Sequence, residues 1–174
     1  MTRVRFAASR PARREQGFTL IELLIVVALI GVIASIAIPS LISARAAANE
    51  ASAIGSSRTA SSSQNAYGGT CGGGFYATSM LQLSLAGFAS ADFALPIKHG
   101  FAYNLSVGDT GMLGPLDCNG DPTMSDFYYS ATPTTPNLGR RGFAVTEDGG
   151  IWVDNAGVAP VEPFVVGGTI QPLQ

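Results

Sequence analysis

One stretch limits what this chain can become. From Phe18 to Ala44 the sequence is dominated by Leu, Ile, Val and Ala, and its only charge is Glu22. As a helix this stretch would run about 40 Å, more than the ~30 Å hydrocarbon core of a bilayer. A single span in lipid must satisfy its own backbone hydrogen bonds, and a helix is the form that does so. The chain is therefore read first as a membrane-anchored protein with an α-helical N-terminal segment.

Three residues make this segment unlike a generic anchor. Gly17 has no side chain and stands between a polar, arginine-rich leader and the apolar run. Glu22 places a carboxylate inside that run, where an acid is costly and calls for a cationic partner. A cut after Gly17 would create such a cation, a free amine on Phe18. That amine would lie at i, i+4 spacing from Glu22, or could reach the Glu22 of a neighbouring molecule. Pro39 removes one helical hydrogen bond and predicts a bend.

The segment Gly17-Phe-Thr-Leu-Ile-Glu-Leu-Leu, followed by Pro39, resembles the prepilin signature of type IV pilins and type II secretion pseudopilins. The resemblance is close from Gly17 to Ser43 and loose beyond. It implies cleavage between Gly17 and Phe18 by a prepilin peptidase, N-methylation of Phe18, and assembly roles for Glu22 and Pro39. It also implies a pilin-like α+β fold, in which a long N-terminal helix packs on a small antiparallel β-sheet head. The implied partners are copies of the chain and other pilins in a filament, and an inner-membrane assembly platform.

Charge sets the orientation. Arg3, Arg5, Arg10, Arg13 and Arg14 precede the apolar run and are half of the ten basic residues. By the positive-inside rule they stay in the cytoplasm and the C-terminus crosses. An ordinary secretory signal is cut after its apolar region, whereas the cleavable position here lies before it. The leader would be lost and the helix kept. The expected organisation is a leader over 1–17, a membrane and assembly helix over 18–44, an amphipathic continuation over 45–66 and a head over 67–174. The protein is expected as a single-pass inner-membrane protein before assembly. Afterwards it would be part of an extracellular pilus or a periplasmic pseudopilus.

Beyond the leader only Arg45, Arg58, Lys98, Arg140 and Arg141 are basic, against eleven acids, so charge gives no general affinity for nucleic acid. Arg140–Arg141 is left as a local basic patch. The two cysteines, Cys71 and Cys118, allow one intramolecular bond, and a head outside the cytoplasm is where disulfides persist. The alternative is two unpaired buried thiols.

From Ser40 to about Gln64 the residues are small and helix-compatible, and no proline follows Pro39 in the stretch. A stripe of Leu41, Ala48, Ala51 and Ile54 at helical spacing would pack under a sheet; a flexible Ala/Ser stalk is the alternative. Gly68-Gly69 are expected to stop the helix, with loop over Tyr67–Phe75. A short helix over Ser79–Ala86 would be capped by Thr78 or Ser79. Strands are expected over Gly100–Val107, Asp126–Thr132, Gly142–Thr146 and Ile151–Asp154, the last two joined as a hairpin by Glu147-Asp-Gly-Gly. Phe143, Val145, Ile151 and Val153 would share one face, with Trp152 on the other or in the rim of the head. The tail from Val158 should be extended and partly loose.

Sites for chemistry are few. Asp117, Asn119 and Asp121 place oxygens at i, i+2 and i+4, the opening rhythm of a calcium loop, and Asp126 lies nearby. The resemblance lends calcium some support, since major secretion pseudopilins carry it in the head. The bidentate Glu of an EF-hand loop is missing, and Asp, Asn and Gly are also ordinary turn residues. His99 is the only histidine and has no obvious catalytic partner. No catalytic signature stands out, and no cofactor other than that calcium is implied, so the chain is read as a non-enzyme. Three functions remain: a subunit of a type IV pilus, a pseudopilin of type II secretion, or a solitary tethered binding domain. Glu22 disfavours the third, because a monomer gains nothing from an acid in its anchor.

Overall fold

The computed structural model describes residues 17–173. The chain divides into two compact units, one ending at Pro39 and one beginning at Ser40. A single helix, α1 (Leu20–Thr70), enters both and includes Pro39. The leader arginines lie outside the described residues. In the first unit the side chains from Phe18 to Ile38 are exposed almost without exception. The segment is long and apolar enough to cross a membrane. So many exposed Leu, Ile and Val side chains need lipid or another protein to cover them.

The second unit is an α+β head. After α1 come β1 (Tyr76–Ala77), α2 (Met80–Leu85), a 3-10 turn (Ala91–Ala94), β2 (Ile97–Lys98), β3 (Phe101–Ser106), β4 (Leu113–Leu116), β5 (Pro122–Met124), β6 (Tyr128–Pro133), β7 (Gly142–Thr146), β8 (Ile151–Asp154) and β9 (Ile170–Pro172). They form a three-stranded sheet, β1-β5-β4, and a six-stranded sheet, β2-β3-β6-β7-β8-β9, with all pairs antiparallel. The expected strands are β3, β6, β7 and β8, and α2 is capped by Ser79, whose hydroxyl accepts the Gln82 amide.

The expected helix stripe is wrong. Leu41, Ala48 and Ala51 are exposed and Ile54 is only partly buried. The buried face instead carries Ala46, Glu50, Ala53, Ser57, Ala60, Gln64 and Tyr67, alternating four and three residues apart. The reason is the bulk of the sheet. Phe101, Tyr103, Tyr129 and Phe143 fill the core, so the helix opposite them must be small to reach native packing density. Hydrophobicity does not mark such a face, because half of it is polar.

The expected helix stop is also displaced. α1 continues through Gly68 and Gly69 to Thr70, and the chain turns at Gly73 and Gly74, where φ is 61° and 94°. The loop therefore begins at Cys71, not at Tyr67. A Cβ on Gly72 would stand 2.9 Å from the Tyr67 ring, so glycine here allows a close approach rather than a hinge. The tail is tied down where a partly loose end was expected: β9 closes one edge of the large sheet against β8.

Polar ties fix the helix to the head. The buried Glu50 carboxylate accepts the amides of Arg140 (2.7 Å) and Arg141 (3.2 Å) and the Arg141 Nε (2.8 Å). The Asn49 side-chain amide donates to the Leu138 carbonyl at 2.9 Å. The Arg140–Arg141 pair is thus half spent inside the fold. Glu50→Ala would leave two amides and a guanidinium without an acceptor. It should lower the stability of the head by about 3 kcal/mol, read as a reduced melting midpoint in detergent solution.

Candidate functional site

The site begins where the helix begins. Phe18 and Thr19 precede α1, and Thr19 is its N-cap. The Glu22 amide donates to Thr19 Oγ1 at 3.3 Å, while Glu22 Oε2 accepts the Thr19 amide at 3.0 Å and its hydroxyl at 2.9 Å. This reciprocal arrangement is a capping box, Thr19-Leu-Ile-Glu22, and a carboxylate in the first turn also suits the positive end of the helix dipole. Sequence reasoning missed it, although a threonine three residues before a glutamate at the start of an apolar run is its signature. In the uncut chain Glu22 therefore already has partners. Phe18 lies outside the helix, so the helical i, i+4 pairing expected between its amine and its own Glu22 is not set up by this backbone.

A Cβ placed on Gly17 meets nothing within 4 Å among the described residues. No packing contact among the described residues demands glycine at this position. Phe18 beside it is 91% exposed. The scissile bond expected between them sits in accessible, non-helical chain, which is what a peptidase needs.

At the other end of α1 a second polar cluster joins helix, α2 and the β4–β5 turn. Cys71 and Cys118 are bonded, with Cα atoms 5.0 Å apart and a sequence separation of 47. The Cys118 amide also donates to the Cys71 carbonyl at 3.0 Å. Closing a loop of that length stabilises by about 4 kcal/mol in the chain-entropy account. Reduction should therefore destabilise the head by a similar amount, and alkylation without reductant should label neither cysteine.

Asp117 is the centre of this cluster. Its Oδ1 accepts the amides of Asn119 and Asp121, both at 2.8 Å, and its Oδ2 accepts the Tyr67 hydroxyl at 2.6 Å. Gln82 Nε2 donates to the Tyr67 hydroxyl oxygen at 2.8 Å. The hydrogen bond from Tyr67, helped by the two turn amides, holds the Asp117 carboxyl down to about 2. Burial and the same carboxylate push the Tyr67 hydroxyl up. Asp117 thus contributes stability that is full above the unfolded value near 3.8 and lost as the pH falls toward 2. Tyr67→Phe should raise the Asp117 carboxyl toward its ordinary value, seen in an NMR titration of the side-chain carboxyl carbon.

Of the four oxygen residues expected for calcium, Asp117, Asn119 and Asp121 share one turn. Asp126 belongs to another loop, where it accepts the Gly108 amide at 2.8 Å and the Thr110 hydroxyl at 3.2 Å. Among the described residues no three of His, Cys, Asp or Glu are grouped so as to hold a metal ion. Asp117 serves instead as the acceptor of a turn tied down by Cys118. His99 is exposed between β2 and β3, with φ at 49°, and its Nδ1 lies 3.0 Å from the Ser52 hydroxyl.

Comparison with known families gives one match. Residues 12–38 fit the prokaryotic N-terminal methylation motif, the hallmark of type IV pilins and pseudopilins. The match spans the end of the leader, Gly17, Phe18, Glu22 and most of the apolar run, and stops short of the head. Neither a curated protein nor a solved structure matches the chain.

Proposed function

We propose that this chain is a structural subunit of a type IV pilus, cleaved after Gly17, methylated on Phe18 and polymerised through its N-terminal helix into a surface filament. The motif marks the general class: a substrate of prepilin peptidase that anchors in the membrane and assembles with pilins. The observation that carries the polymer is the start of α1. Among the described residues an acid in an exposed apolar helix is satisfied by Thr19 alone, and cleavage supplies a cation close by. Because Phe18 stands outside the helix, the better partner for that amine is the Glu22 of an adjacent subunit.

The nature of the head favours a pilus over a secretion pseudopilus. The resemblance associates major pseudopilins with shorter heads held by calcium. This head is closed by the Cys71–Cys118 bond, and two of its four candidate calcium ligands, Asp117 and Asp126, accept amides and hydroxyls of the chain. Immunogold electron microscopy of sheared surface fibres is the test. Label along extracellular fibres supports the pilus, and label confined to the periplasm assigns the chain to a secretion pseudopilus.

A further inference from the structure

Charge on the head is segregated to opposite ends of the large sheet. β3, β6 and β7 pair in register, Phe101 with Pro133, Ser106 with Tyr128, and Tyr128 with Thr146. Their ends therefore make two rims, separated by the five residues of β7, roughly 17 Å. The first rim is His99–Gly100 with the segment leading into Arg140 and Arg141, and it meets α1 at Asn49, Glu50 and Ser52. Arg45 lies one helical turn or so before that contact. Arg140 and Arg45 are exposed, and neither has an ion-pair partner among the described residues. Two carboxylates at this rim are buried and engaged: Glu50 with Arg141, and Asp154 with the Ala156 amide.

The second rim is acidic. Asp109, Asp126, Glu147, Asp148 and Glu162 surround a recess of about 270 Å³ whose walls include the stacked rings of Trp152 and Phe164. No basic side chain lines it. Glu147 and Asp148 are exposed at the tip of the β7–β8 hairpin. Glu162 is pushed up by burial, with the neighbouring carboxylates adding to the effect.

We propose that heads of this chain stack on one another, the Arg140 rim of one copy against the Glu147–Asp148 rim of the next. The inference rests on the assembly reading given above. That reading puts every copy in the membrane with the same orientation, so the contact between heads is head-to-tail and repeats without closing, as a filament requires. Parallel copies then bring unlike rims together, and free cations on one face meet unpaired carboxylates on the other. Charge complementarity of this kind fixes register and rejects the like-charge alternatives.

The test is charge exchange in cells that make fibres. Arg140→Glu should lower the number of surface fibres about tenfold, and Glu147→Lys with Asp148→Lys should do the same. Combining the three should restore fibres to near wild-type numbers, which only a folded head can do. Single-rim variants that assemble normally, or a combination no better than its parts, would overturn the stacking. A measurement independent of charge uses Arg140→Cys with Asp148→Cys in one chain and a short thiol-to-thiol crosslinker on isolated fibres. A ladder of multimers supports the contact, and its absence overturns it. A wild-type chain that makes no fibres at all would instead overturn the assembly reading.

Discussion

Glu22→Ala should leave the chain in the membrane at normal levels and reduce its fibres at least tenfold. The apolar run without Glu22 is still long enough to span, so insertion should be no worse than for the wild type. The variant loses the acceptor of the capping box and, in the assembly proposed above, the carboxylate that would face the Phe18 amine of the next subunit. In the low dielectric between packed helices an ammonium without a counter-ion is strongly penalised, more than the same charge at a surface. Glu22→Gln should be intermediate, since it can still accept from Thr19 but cannot balance a charge. Immunoblots of membranes and counts of surface filaments read the two effects separately. Fibre numbers like wild type in Glu22→Ala would mean that the carboxylate does not register the subunits.

Replacing Gly17 by leucine or tryptophan should leave the chain uncut. The expectation is sharp, because no packing contact among the described residues requires glycine there. A side chain at position 17 would meet none of the described residues, so the head and α1 should fold as before. The need for glycine must come from outside, from a peptidase cleft that approaches the backbone closely. Intact-mass measurement should show the full precursor with its leader in the membrane and no mature form. Cleavage at the wild-type rate would assign Gly17 no part in recognition.

The anchor and the hairpin strands could be read from the residues because each carries a strong local signal. A run with one charge, an alternation of Phe143, Val145, Ile151 and Val153, and Glu147-Asp-Gly-Gly need no tertiary context. The face of α1 was misread because tertiary context decides it. A helix under a sheet rich in Phe and Tyr presents Ala, Ser and Gln, and those residues carry no hydrophobic stripe. The short strands β1, β2, β4, β5 and β9 escaped for a related reason. Two to four residues long, and partly built of Gly and Pro, they exist by pairing and not by propensity. At the candidate site Gly17, Phe18 and Glu22 were all legible, but their geometry was not. The spacing suggested an amine one turn from its own carboxylate, while the structure starts the helix two residues later and gives that carboxylate to Thr19. Likewise Asp117-Cys-Asn-Gly-Asp121 has the rhythm of a cation loop, and only the fold shows its first carboxylate turned onto two amides and Tyr67.

The central claim is that this chain works as a processed polymer and not as a lone anchored domain. The most direct measurement is mass spectrometry of fibres sheared from the cell surface and purified without detergent. The account predicts that this chain is a structural component of the fibres, that its N-terminal peptide begins at an N-methylated Phe18, and that Cys71 and Cys118 are joined. Fibres that lack the chain, with the protein recovered only as a membrane monomer or with its leader attached, would contradict it.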